Sequence, residues 1–275
     1  MRYLRIAVIG IFILSLGVGL WSNYQYKQGK DYTPPIIQCD SEYIELSVSD
    51  GDDAIMKGIT AYDAVDGDLT DKILVASTSH FFEQGTFKVR YVVFDSQNNS
   101  AMLTRTVHYM DYVAPQFSLS QPLVYTRGDD IHYLDYVTVY DVLDGDITDR
   151  IKVKSSYVSS YTADIYPVLL EVSNSYGDTV QVELNVVVQE ANANTVDIVL
   201  EQYLVYIKQG EQFNANEYIL SVKNSNGTIL NKDNVNILGK VDTNEAGCYQ
   251  LAYNYFDGSV QGWAYMTVVV VGEDR

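Results

Sequence analysis

The sequence predicts an all-β chain of three tandem modules behind an N-terminal apolar helix, and three observations carry the prediction. The first is a repeat. The stretch Tyr62-Asp63-Ala64-Val65-Asp66-Gly67-Asp68-Leu69-Thr70-Asp71-Lys72-Ile73 returns 78 residues later as Tyr140-Asp141-Val142-Leu143-Asp144-Gly145-Asp146-Ile147-Thr148-Asp149-Arg150-Ile151, with eight of twelve positions identical. Self-similarity at a long fixed period marks a repeated structural unit. The second is period-2 alternation after each copy, the signature of half-buried strands. The third is composition: 24 Tyr stand against 5 Pro and 2 Trp in a chain that is 47% apolar and 20% charged. Tyr, Val and Ile favour pleated, half-buried surfaces, and this charge content argues against disorder.

Taken in order, Arg2 and Arg5 precede an apolar run from Ile6 to Trp21. At 1.5 Å per residue the run makes roughly 24 Å of helix, short for a bilayer span and long for the apolar part of a signal peptide. Gly17 and Gly19 permit cleavage before Leu20, whereas Leu20, Trp21, Tyr24 and Tyr26 suit an interfacial anchor. Residues 1–21 are therefore expected to be a membrane anchor or a signal, with the anchor favoured. The C-terminal body is placed outside the cell membrane on a single pass, or secreted if the segment is cleaved. Residues 22–33 are polar and read as a spacer that stiffens at Pro34-Pro35.

Module one is expected over 34–112. Phe87, Val89, Tyr91 and Val93 alternate with more polar residues, and Asp95-Ser96-Gln97-Asn98-Asn99 is a turn cluster. Ala101, Leu103, Val107 and Tyr109 continue in one phase that Arg105 breaks, so either Arg105 snorkels or the register is shifted. Module two, 113–190, repeats the pattern with Tyr166, Val168, Leu170 and Val172, and Gly177 falls on Asn98. Pro167 within that strand predicts a local distortion. Module three, 195–272, is more diverged. Tyr249, Leu251 and Tyr253 take the places of Phe87, Val89 and Tyr91, and Asn224-Ser225-Asn226-Gly227-Thr228 stands roughly where the acidic stretch was. The chain ends just past the last strand, so any attachment is expected to be N-terminal.

The order Asp-x-x-Asp-Gly-Asp-x-Thr-x-x-Ile, then Gly-Thr-Phe/Tyr with an alternating strand, then Asp-x-x-x-Asn and a closing strand, resembles the bacterial Ig-like domains of the type first described in a pesticidal crystal protein. Module one carries Asp63, Asp66, Gly67, Asp68, Thr70, Ile73, Gly85, Phe87, Tyr91, Asp95 and Asn98 of it. Module two keeps Asp141, Asp144, Gly145, Asp146, Thr148 and Ile151, with Asn174 in place of the later aspartate. Module three keeps Gly247, Tyr249, Tyr253 and Asp257. The resemblance implies three tandem Ig-like β-sandwiches in a Gram-positive surface protein, non-catalytic, serving as a stalk, adhesion or binding protein. The alternatives are a calcium-stabilised surface module or an accessory docking subunit of an envelope enzyme or transport machine.

Asp66-Gly67 and Asp144-Gly145 are turn signals, and Asp63 and Asp68 are placed to fix the same turn from either side. The other reading of Asp63, Asp66, Asp68, Asp141, Asp144 and Asp146 is calcium, whose hard oxygen ligands they offer at a spacing unlike an EF-hand. The turn reading is favoured, so no metal or cofactor is assigned. No catalytic motif is present, and Lys88 has the wrong strand phase for a buried isopeptide crosslink. A net charge of −18 excludes nucleic acid as a partner, and exposed tyrosines among the 24 would suit a protein or glycan at the cell surface. Cys39 and Cys248 fall in different modules and are expected to be free thiols.

Overall fold

The computed structural model describes residues 2–28, 31–191, 195–258 and 260–272. The N-terminal helix α1 spans Arg2–Gln28. It runs beyond the apolar stretch into the expected spacer, and residues 8–24 are all exposed. Among the described residues no helix is long and apolar enough to cross a membrane.

Among the described residues after the helix the elements are β-strands and short 3₁₀ turns, and the chain forms two compact units. One comprises Met1–Leu46, Asp50–Ser79 and Lys88–His108, the other Ser47–Ser49, His80–Phe87 and Tyr109–Arg275. The first seven strands are β1 (Ile36–Cys39), β2 (Tyr43–Leu46), β3 (Ile59–Asp63), β4 (Gly67–Asp68), β5 (Leu74–Thr78), β6 (Thr86–Phe94) and β7 (Ser100–Tyr109). They make two sheets, ordered β1-β3-β4 and β2-β7-β6-β5. Ile59 and Ala61 of the first sheet and Val89, Tyr91, Val93 and Val107 of the second are buried.

Arg105 keeps the strand phase. It is only 2% exposed and lies on the same face as Val107 and Tyr109. Its guanidinium donates to the Lys57 carbonyl at 2.6 Å and pairs with Asp40 at 2.8 Å. The register read from Ala101 to Tyr109 is therefore right, and a buried arginine occupies one inward position.

In the second unit come β8 (Gln116–Leu119), β9 (Val124–Thr126), β10 (Val137–Asp141), β11 (Gly145–Asp146), β12 (Lys152–Ser156), β13 (Asp164–Ser173) and β14 (Thr179–Gln189). Their sheets are ordered β11-β10-β8 and β12-β13-β14-β9, with β9 parallel to β14. Phe117, Val137 and Val139 of one sheet share a core with Val168, Leu170, Val182 and Leu184 of the other. Pro167 distorts nothing: β13 pairs with β14 in unbroken register, Pro167 facing Asn185. Strand β12 reaches only to Val168. The missing N–H therefore lies where no neighbouring strand needs it, as at an edge.

The unit continues with β15 (Val196–Leu200), β16 (Leu204–Lys208), β17 (Ile219–Asn224), β18 (Val235–Leu238), β19 (Gly247–Phe256) and β20 (Gln261–Val271). Here the sheets are β15-β17 and β16-β20-β19-β18, with β16 parallel to β20. Both contribute to one core that includes Ile198, Val222, Tyr253 and Met266. Tyr253 and Tyr91, matched from sequence, are both fully buried. Each hydroxyl donates to a carbonyl of a preceding 3₁₀ turn, that of Ala215 at 2.9 Å and that of Ile55 at 2.6 Å.

Candidate cation site and its hydrogen-bonded counterpart

The repeated acidic stretch is first of all a turn. Strands β3 and β4 pair Asp63 with Gly67, leaving three residues between them. Gly67 takes φ 78°, the left-handed conformation such a loop needs at its end. Asp63 Oδ1 accepts from the Val65 and Asp66 N–H groups at 2.8 and 2.9 Å, and Asp68 Oδ1 from the Thr70 N–H at 2.9 Å. The second copy is the same turn. Asp141 Oδ1 accepts from Leu143 and Asp144, Asp146 Oδ1 from Thr148, each at 2.9 Å, and Gly145 has φ 74°. The Thr70 and Thr148 hydroxyl and N–H bonds hold Asp68 and Asp146 below the usual carboxylate range.

Asp66 and Asp144 are committed as well. The Ser96 N–H donates to Asp66 at 2.7 Å, and with the Ser96 hydroxyl it lowers that carboxyl's pKa. At Asp144, burial acts to raise the pKa. The Ser175 N–H and hydroxyl, each at 2.7 Å, and Arg150 outweigh it and bring it down.

The two copies part company one layer further in. Asp63 and Asp95 are 2% and 6% exposed, and with Asp31 they offer carboxylate oxygens that all lie within 4.8 Å of one another. Asp95 closes the β6–β7 turn, accepting from the Gln97 and Asn99 N–H groups at 2.8 Å and from Asn99 Nδ2 at 2.6 Å. Asp31 Oδ1 accepts from the Thr33 N–H and hydroxyl, which lowers its pKa, while its Oδ2 is buried and receives no hydrogen bond. Both bonds accepted by the Asp63 side chain go to Oδ1. Among the described residues no salt bridge reaches any of the three.

In the second copy Asn174 stands where Asp95 stood. Its amide donates to Asp141 Oδ2 at 3.1 Å and to the Tyr112 hydroxyl at 2.8 Å, and Tyr112 donates to Asp178 at 2.7 Å. Asn174 Oδ1 accepts from the Tyr176 and Asp178 N–H groups and so closes the β13–β14 turn as Asp95 does its own. Burial first, and then the bond to Asp178, push the Tyr112 phenol well above its usual range.

A short segment common to both copies takes opposite roles in this divergence. Asp31-Tyr32-Thr33-Pro34-Pro35 and Asp111-Tyr112-Val113-Ala114-Pro115 lead into the first strand of each copy. In the first, Asp31 enters the site and Tyr32 is 68% exposed. In the second, Tyr112 is buried, while Asp111 accepts from the Ser47 hydroxyl at 2.6 Å and the Val48 N–H at 2.8 Å. Of the six aspartates weighed for calcium from sequence, only Asp63 belongs to the carboxylate cluster; Asp31 and Asp95 come from outside the repeated stretch. Cys39 and Cys248 are both free.

The paired all-β sheets are those of Ig-like sandwiches. Residues 41–109 match the bacterial surface protein Ig-like domain, and residues 206–268 match the bacterial Ig-like domain of group 3. The chain therefore carries bacterial Ig-like domains in both stretches. It is 28% identical over 207 residues to the pesticidal crystal protein Cry22Aa of Bacillus thuringiensis, a match covering 72% of this chain and 27% of that protein. The chain thus spans about a quarter of the length of this relative. Among solved structures, CBM51-2 in complex with GlcNAc and INT domains from Clostridium perfringens ZmpB shares 21% identity at a TM-score of 0.24, covering 54% of this chain and 26% of that one. Human CDH23 EC21-23 shares 11% at a TM-score of 0.22, covering 86% and 100%. These scores are too low to bear on fold or function.

Proposed function

We propose that this chain is a non-catalytic extracellular stalk or binding protein, built of three Ig-like sandwiches over residues 34–112, 113–190 and 195–272 and held at the membrane by its N-terminal helix. The observation that carries the reading is the helix itself. Val8, Ile9, Ile11, Phe12, Ile13, Leu14, Leu16, Val18 and Leu20 are all exposed, between 47% and 72%. These residues lie on every side of the helix, and Gly10, Gly17 and Gly19 meet nothing within 4 Å. An all-round apolar helix that buries no face against its own protein needs another apolar medium. The apolar run is shorter than a typical hydrocarbon core, and Trp21 and Tyr24 suit its boundary.

The bacterial surface Ig-like match supports an outward-facing body, and the charge of −18 supports a partner that is a protein or glycan rather than nucleic acid. The third sandwich, which lacks the acidic turn, is the end assigned to binding. Fractionation of cells expressing the full chain tests the reading. The chain should sediment with membranes, resist alkaline extraction and be cleaved by protease added to intact cells. A chain beginning at residue 31 should be released. Recovery of the full chain in the soluble fraction would overturn the membrane assignment.

A further inference from the structure

We propose that Asp31, Asp63 and Asp95 bind a divalent cation of calcium's size, and that the ion fastens the segment after the helix to the first Ig-like domain. Two buried carboxylates and a third with a buried, donorless oxygen converge here without a cationic side chain. Buried charge is costly unless it is paired or coordinates a metal. The second copy gives the independent indication: where the cluster is discharged by Asn174 and Tyr112, the same turn is satisfied by hydrogen bonds alone. In the first copy the Asn99 amide donates to Asp95 Oδ2 and to the Asp31 carbonyl, and the buried Asp31 Oδ2 is left without a donor.

Ligand chemistry selects the ion. Carboxylate oxygens suit a hard cation, and Ca²⁺ takes several of them in flexible geometry, whereas Mg²⁺ keeps most of its waters and is held by one or two carboxylates. The ligands come from three places in the chain: Asp31 ahead of β1, Asp63 at the end of β3 and Asp95 just after β6. An ion among them ties residues 31–33 to the turns of both sheets. The inference does not depend on the stalk reading, because it concerns the ion and not what the body binds.

The test is calcium titration of the EDTA-stripped full chain in detergent, by calorimetry and thermal melting, with hydrogen exchange of residues 31–33. Ca²⁺ should bind with Kd in the range of about 0.1–1 mM, as weak extracellular sites do, and more tightly than Mg²⁺. At about 10 mM it should raise the melting temperature by mass action and slow exchange at 31–33. Asp95→Asn, which installs the residue the second copy carries, should stay folded and weaken binding at least tenfold. Asp68→Asn should bind as the parent does. No heat and no melting shift with the parent chain would falsify the proposal. Loss of binding in Asp68→Asn with retention in Asp95→Asn would move the ion to the acidic turn and overturn it equally.

Discussion

Two copies of one turn, built on Asp63 and on Asp141, share their backbone and differ in what faces them. Asp95 and Asp31 face the first, while Asn174 and Tyr112 face the second. One oxygen exchanged for an amide nitrogen converts a repelling pair into a donor and an acceptor. A repeated motif can therefore hold its local structure constant while the residues around it decide whether it is a closed hydrogen-bond network or a site that calls for an ion. Five substitutions and one titration probe that comparison.

The largest effect is expected from Asn174→Asp. It places a second carboxylate beside buried Asp141 and leaves Tyr112 with a different partner. Leaving a buried charge uncompensated costs about 3–5 kcal/mol, and urea unfolding at neutral pH should show a loss of this order. The loss should shrink in acid, because protonating one carboxyl removes the repulsion. A change within about 0.5 kcal/mol, the scatter of a neutral surface change, would mean that the amide is not what distinguishes the copies.

Next comes Arg105, whose counterpart in the second copy is buried Leu184. Arg105→Ala should cost about 2–4 kcal/mol, through a cavity and a Lys57 carbonyl left without its donor. Arg105→Leu should fall within about 1 kcal/mol of the parent, because the partner Asp40 side chain is 66% exposed and returns to water. If both variants lose equally in denaturant melts, the charge matters and the volume does not.

Tyr91→Phe and Tyr253→Phe each remove one hydroxyl bond to a carbonyl, and each should cost about 1 kcal/mol. Similar values would establish the two tyrosines as the same structural device in the first and last sheet pairs; unequal ones would separate them. The smallest effect concerns acid. Asp68 and Asp146 have lowered pKa values, so their contribution is present above the unfolded-state value and fades as pH falls through the folded value. Carboxyl NMR titrations should place both below ordinary aspartate and close to each other. A value at or above the ordinary range for either would break the equivalence of the turns.

Much of this was legible in the chain. The repeat, its turn chemistry, the match of Tyr253 to Tyr91 and the placing of Gly177 on Asn98 all rest on local rules. Asn98 and Gly177 do take φ 64° and 80°. Pro167 was misjudged, since alternation marks a strand and not where its neighbour stops. Arg105 was legible only as an anomaly, because phase cannot say whether a carbonyl and a carboxylate await a guanidinium.

By itself the sequence determined the elements: strands from period-2 alternation, turns from Asp-x-x-Asp-Gly, and an apolar helix without a partner face. These depend on contacts within a few residues, which spacing encodes. Only the tertiary structure decided the site. Asp31 and Asp95 lie 32 and 32 residues on either side of Asp63, as their numbers show. No local pattern states that chain segments so separated will bring three carboxylates within 4.8 Å. Nor does it state that Asp111-Tyr112 will turn its tyrosine inward where Asp31-Tyr32 turns its aspartate, because that choice rests on which partners each strand's neighbours present.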